Sequence, residues 1–117
     1  FKNIKLTLEK NIVIRNSICK NYELNCYNLL QPFATIHGEY FKKQSRGVIK
    51  NLVGNESSIN FLKKRWNVLK EVKGITNISD ALKNSEKLGY LDKVHYSPYA
   101  NEKIAEKIYN LIQNDLN

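Results

Sequence analysis

The chain has 117 residues, of which 42% are hydrophobic and 26% are charged, and these values exclude a wholly disordered or low-complexity protein. Its length allows one domain with a modest core. No stretch approaches the roughly 18 consecutive apolar residues that a membrane span needs, and residues 1–10 lack the organisation of a signal peptide. The sequence therefore predicts one folded unit without a membrane span, and it leaves the cellular compartment open.

The net charge of +8 comes from 19 Lys and Arg against 11 Asp and Glu, and such an excess is compatible with a nucleic-acid partner. Only three of the cations are Arg, and aromatic residues are not interleaved with them as a stacking platform for single strands requires. Nucleic acid is therefore the disfavoured partner. The alternative function that stays open is a small basic α/β module that binds nucleic acid through Lys42, Lys43, Arg46 and residues 63–65.

The two cysteines, Cys19 and Cys26, are seven residues apart, and the chain has no Cys-x-x-Cys pair. This spacing argues against a zinc ribbon and against a scaffold dense in disulfides. We interpret both as small buried residues. Whether they form a bridge depends on backbone geometry that the sequence does not give.

The first half of the chain contains a helix, a strand and a long loop. Apolar residues at helical spacing predict a helix over residues 1–20, although Ile4, Leu6 and Leu8 also alternate as they would in a strand. A short apolar run over residues 26–30 predicts a buried strand, and Pro32 ends it because proline cannot donate to a ladder. Residues 33–55 have three glycines and no sustained period, so we expect a long, partly helical surface segment there.

Two further helices follow. Residues 55–58 supply capping groups for a helix whose stripe of Leu62, Trp66 and Leu69 should be buried against a sheet. After a short extended segment over residues 75–82, Ser97 and Pro98 are suited to begin a last, amphipathic helix. This order of elements predicts an α/β fold with a parallel sheet.

A carboxylate and an imidazole, Asp92 and His95, lie three residues apart on the loop that enters the last helix. A carboxylate that accepts a hydrogen bond from one ring nitrogen orients the imidazole, whose other nitrogen then removes a proton from a nucleophile. Asp-x-x-His also occurs by chance, and the alternative interpretation is a helix-entry aspartate beside a surface histidine.

The flanking residues add to this pattern, because residues 90–112 resemble the last conserved block of the SGNH, or GDSL, hydrolases. That block has Asp-x-x-His, then roughly Ser/Thr-x-x-Gly-Asn, and then Ile-Ala-x-x-Ile in the closing helix. The matching residues here are Asp92, His95, Ser97, Asn101, Ile104, Ala105 and Ile108. Upstream, residues 27–33 are similar to the family's strand ending in Leu-Gln-Pro, and residues 78–82 to its segment before the Asp-His loop. One departure is Ala100, where the family usually has glycine.

The resemblance implies a flavodoxin-like three-layer α/β/α sandwich with a parallel sheet, of which residues 1–117 would be the C-terminal part of a single hydrolase domain. The family's Gly-Asp-Ser nucleophile block, its oxyanion-hole glycine and its Gly-x-Asn block have no counterpart in the chain. The chain also contains no Met and opens at Phe1. We therefore expect a fragment or a processed chain, with the serine and the oxyanion donors upstream.

The activity that the resemblance implies is that of a serine esterase or acyl hydrolase. His95 would be the general base and Asp92 its orienting partner, and the ester substrate would be a small molecule, a carbohydrate or a lipid. No metal and no cofactor are implied.

Two residues of the loop after the predicted strand are candidates for substrate contact. His37 follows the strand end, where loops of parallel sheets bind ligands, although an ordinary loop histidine is the alternative. Tyr40 is suited to the wall of an acyl pocket, or else it packs down onto the domain.

Overall fold

The computed structural model describes residues 2–37, 54–83, 85–87, 89–92 and 95–116. Its elements, in chain order, are α1 (Lys2–Asn21), β1 (Leu29–Leu30), α2 (Ala34–His37), α3 (Glu56–Lys70), β2 (Thr76–Asn77), a 3-10 turn (Ser79–Leu82) and α4 (Pro98–Leu116). The helices predicted over residues 1–20, after residue 55 and after Ser97 are confirmed.

The predicted three-layer sandwich is wrong. The described residues are mostly helical, and their sheet has two parallel strands, with Leu29 opposite Thr76 and Leu30 opposite Asn77. Each strand is two residues long, because Pro32 follows β1 closely and the chain turns into a 3-10 turn at Ser79 after β2. A sheet this narrow has no face wide enough to carry a helical layer on each side.

The end of α1 is closed by a left-handed residue and a disulfide. Glu23 has φ 55°, and the Leu24 amide donates to the carbonyl of Cys19 over 2.8 Å, as in a Schellman motif. Cys19 and Cys26 are joined by a disulfide, with their Cα atoms 6.1 Å apart. Cys19 is 7% exposed whereas Cys26 is exposed, so the interpretation of both as small buried residues is wrong for Cys26.

Replacing both cysteines by serine is expected to lower the free energy of unfolding by about 2.5 kcal/mol, because the loop that they close restricts the unfolded chain. Urea titration of the oxidised protein and of the double variant measures this difference. Wild-type protein whose disulfide has been reduced serves as a second comparison, and its free energy of unfolding should match that of the double variant. Equal stability of all three samples would show that the bond does not restrain the chain.

Helix α1 packs against the turn between α3 and β2. Gly74 has φ 81°, and a Cβ atom there would lie 2.9 Å from Cγ2 of Ile12. Glycine is needed at this position both for the positive φ and for the close approach of the helix. Ile12 is 7% exposed in consequence.

The core is a small cluster under the loop that carries Asp92 and His95. Ala34, Leu82, Tyr90 and Ala100 are each no more than 1% exposed, and Tyr96 and Ile104 pack against them. Ser97 caps α4, since its Oγ accepts the Ala100 amide over 3.1 Å. Ala100 is 0% exposed, so the methyl group is buried in this cluster at the position where the resembled family usually has glycine.

Helix α3 begins at an Asn55 cap, whose side chain accepts the Ser58 amide over 2.9 Å. The prediction that Leu62, Trp66 and Leu69 are buried against the sheet is wrong, because α3 has no fully buried residue and all three are half-buried. Trp66 instead packs beside α2, with its ring 6.5 Å from that of Phe33 and 5.2 Å from that of His37.

Trp66→Ala is expected to lower the free energy of unfolding by about 2 kcal/mol, which is less than a fully buried tryptophan would give. The matched control is Phe61→Ala, because Phe61 is an aromatic residue of the same helix and is 48% exposed. The control should change stability by about 0.5 kcal/mol. Denaturant titration of both variants tests the difference, and equal effects would contradict the packing of Trp66 on α2.

Candidate functional site

The loop between the 3-10 turn and α4 is held at its base by backbone pairing. Tyr90 and Tyr96 form an antiparallel bridge, and the Leu91 amide donates to the carbonyl of His95 over 2.8 Å. The Ser97 amide donates to the carbonyl of Gly89 over 2.9 Å. Because Tyr90 is 1% exposed, the core fixes this base and presents Asp92 and His95 at the tip.

Both oxygens of Asp92 contact His95. Oδ2 lies 2.6 Å from Nδ1 of the ring, and Oδ1 accepts the backbone amide of His95 over 2.8 Å. The predicted contact between the two side chains is therefore present. In the tautomer with the proton on Nδ1, that proton is donated to Asp92 and Nε2 is the basic nitrogen. The pair thus has the geometry of an oriented general base, and its catalytic role stays a prediction.

The Asp92–His95 pair is open to solvent. The side chain of His95 is 72% exposed and that of Asp92 is 55% exposed. Among the residues that the structure describes, the imidazole has Asp92 as its hydrogen-bond partner, and no serine hydroxyl contacts it. A general base of this kind needs a nucleophile brought to Nε2, and the exposure leaves room for one.

Tyr96 ties this loop to the sheet. Its hydroxyl donates to the carbonyl of Pro32 over 2.5 Å, and Pro32 lies just beyond the carboxyl end of β1. The loop is therefore anchored beside the carboxyl end of a parallel strand. Burial raises the pKa of the Tyr96 phenol to about 12 from 10.0.

This pKa predicts a loss of stability in alkali. The phenol ionises near 10 in the unfolded chain and near 12 in the folded one, so its contribution to stability is complete below pH 10 and falls as the pH rises towards about 12. Tyr96→Phe should flatten this part of the curve of unfolding free energy against pH. Tyr109→Phe, at a position 63% exposed, is the control that should leave the slope in place. If the unfolding free energy of wild type and of Tyr96→Phe fell equally with pH between 10 and 12, the raised pKa of Tyr96 would be refuted.

His37, a predicted substrate contact, is the last residue of α2 and is 6% exposed. Its Nδ1 accepts the amide of Phe33 over 3.0 Å, and its ring meets Trp66 edge-on at 76°. His37 therefore helps to pack α2 against α3. It also lines a groove to which Asp92 and His95 do not contribute. Tyr40, the other candidate, lies outside the described residues.

The structure describes some of the basic residues of the alternative function. Lys42, Lys43 and Arg46 lie outside the described residues. On α3, Lys64 is exposed and the guanidinium of Arg65 lies 4.2 Å from the centre of the Phe61 ring. Lys63 is exposed and lines the groove beside His37. Its spacing of three and seven residues from Trp66 and Lys70 is the sequence signal for this shared surface.

In the ranges that the structure covers, no three His, Cys, Asp or Glu side chains are grouped so that they could hold a metal ion. Over the same ranges, no helix combines the length and the apolar character needed to cross a membrane. No protein-family model, curated protein or solved structure matches the chain.

Proposed function

We propose that this chain carries the aspartate and histidine of a serine esterase of the SGNH type. His95 is the general base and Asp92 orients it. The observation that carries the proposal is the 2.6 Å contact between Oδ2 of Asp92 and Nδ1 of His95. This contact occurs in the segment, residues 90–112, whose motif spacing resembles the last block of that family.

The first half of the reaction forms an acyl-enzyme. Nε2 of His95 takes the proton of a serine hydroxyl while the serine oxygen attacks the carbonyl carbon of an ester. Asp92 stabilises the resulting imidazolium, and His95 then gives the proton to the leaving alcohol.

The second half regenerates the enzyme. Nε2 removes a proton from a water molecule, the hydroxyl attacks the acyl carbon, and the proton is passed to the serine oxygen as the carboxylic acid leaves. The substrate is an ester of a small molecule, a carbohydrate or a lipid. Because residues 1–117 contain no Gly-Asp-Ser, the proposal places the serine and the oxyanion donors in another part of the protein.

Support for an external nucleophile comes from the exposure of the pair. An imidazole that is 72% exposed at a loop tip is accessible to a serine on another segment. The base of the loop is also anchored, because Tyr90 is buried and the Tyr96 hydroxyl donates a hydrogen bond to the carbonyl of Pro32. Firm support of this kind keeps a base in the position that its partner requires.

The test uses the full-length protein and a fluorophosphonate, which reacts covalently with activated serines. We expect one serine to be modified, as mapped by mass spectrometry, and we expect His95→Ala to slow the modification strongly. Leu91→Ala is the matched control, because Leu91 adjoins Asp92 in the same loop and is 63% exposed. Absence of a modified serine, or equal rates for wild type and His95→Ala, would refute the proposal.

A further inference from the structure

A groove of about 400 Å³ lies between α3 and the residues that follow the two strands. One wall is formed by Lys63, Trp66, Asn67 and Lys70 of α3. The other wall contains Asn77 at the end of β2 and the neighbouring Ser79 and Asp80, while α2 contributes His37. The groove is thus located beyond the carboxyl ends of parallel strands, where ligands bind in sheets of this type.

The charge of the groove is positive. Lys63 and Lys70 lie two turns apart on one side of α3, and neither forms an ion pair with another described residue. Asp80 is the acidic residue among the described lining residues, and its Oδ2 accepts a hydrogen bond from Nζ of Lys107 over 3.2 Å. The carboxylate is therefore compensated from outside the groove, and Lys63 and Lys70 leave the lining with a net positive charge.

Neutral groups complete the lining. Asn67 lies between the two lysines on α3, and the Oδ1 atom of Asn77 accepts the Ser79 amide over 3.0 Å, which leaves the Asn77 NH2 group as a donor. Trp66 is half-buried beside Phe33 and His37, and it is the aromatic ring of α3 that lines the groove. The lining thus combines cations, amide donors and one aromatic ring.

We propose that this groove binds a small organic anion. Its carboxylate or phosphate group is held by Lys63 and Lys70, and its planar apolar part lies on Trp66. The volume lies in the range of small-molecule sites. The site is independent of the proposed esterase pair, because neither Asp92 nor His95 lines it.

Trp66 provides the readout, because it is the only tryptophan of the chain. We would titrate the chain with phenyl phosphate and with benzoate at low ionic strength and follow the tryptophan fluorescence. Saturable quenching is expected for one or both anions. The anion with the higher affinity shows whether the site prefers a phosphate or a carboxylate. Benzyl alcohol, which has the ring without the charge, should bind more weakly by about tenfold or more.

The decisive comparison is between lysines on the same helix. The double variant Lys63→Gln/Lys70→Gln should lose about tenfold or more in affinity for the better anion, and Lys64→Gln should bind like wild type. Circular dichroism checks that all variants keep their helical content. Failure of both anions to saturate at millimolar concentration overturns the proposal. Equal affinity of the double variant and wild type, or an equal loss in Lys64→Gln, also overturns it.

Discussion

In the full-length protein, His95→Ala is expected to lower kcat/KM for an activated ester such as nitrophenyl acetate by about three orders of magnitude or more. The imidazole is the group that removes the serine proton in the proposed mechanism, and Asp92 contacts both its ring and its backbone amide. Stopped-flow or steady-state kinetics with the purified variant measures this loss. A decrease of less than tenfold would contradict the role of His95.

Asp92 variants separate orientation from loop structure. In the wild type, Oδ1 of Asp92 accepts the backbone amide of His95 over 2.8 Å. The side-chain oxygen of Asn in Asp92→Asn can still accept this hydrogen bond, so the loop structure is kept. The NH2 group of the Asn then faces Nδ1 and favours the tautomer with the proton on Nε2, which is the wrong one for a base. We expect a loss of about ten- to a hundredfold, less than for His95→Ala, since Asp92 is 55% exposed and water can replace it in part. A normal rate for Asp92→Asn would show that the contact does not orient the base.

The helices were predictable because their signals are local. Asn55 and Ser97 cap α3 and α4, and each cap lies within four residues of the apolar positions that begin the helical period. A cap and a period of 3.6 residues are read from neighbouring positions in the sequence. Long-range packing did not override them here.

The sheet was not predictable in the same way, because its width depends on pairing between distant residues. The apolar run over residues 26–30 predicts a strand, yet of these residues only Leu29 and Leu30 form strand pairs, with residues 47 positions away. The expected sandwich came from the resemblance and not from a count of strands. The prediction that Trp66 is buried against a sheet is wrong for the same reason, because it requires a sheet face that the described residues do not form.

The candidate site shows the same contrast. The contact between Asp92 and His95 was predictable because the two residues are only three positions apart in the sequence. The burial of His37 was not, because it depends on how α2 packs against Trp66 of α3. Nor was the disulfide, because the approach of Cys26 to Cys19 requires the left-handed turn at Glu23. Glutamate has no preference for that conformation, so no residue type marked the turn.

Residues 1–117 alone are expected to hydrolyse nitrophenyl acetate no faster than free imidazole at the same concentration. His95 and Asp92 form a base without a nucleophile, and the described residues place no serine hydroxyl on the ring. Removing the serine from such a triad leaves only what substrate binding and the oxyanion donors supply, and the proposal locates those donors elsewhere. Circular dichroism would verify that the isolated chain is helical, so that low activity is not due to unfolding.

Adding the segment that would carry the serine under the proposal, fused or as a separate chain, should produce hydrolysis, and that activity should depend on His95. Recombination distinguishes two explanations of an inactive fragment, because a nucleic-acid-binding module would stay inactive whatever is added. Ester hydrolysis by the isolated chain that survives His95→Ala would refute the assignment. The hydrolysis would then have to come from residues to which the structure gives a packing role. His37, which contacts Phe33 and Trp66, would be the first of these residues to replace.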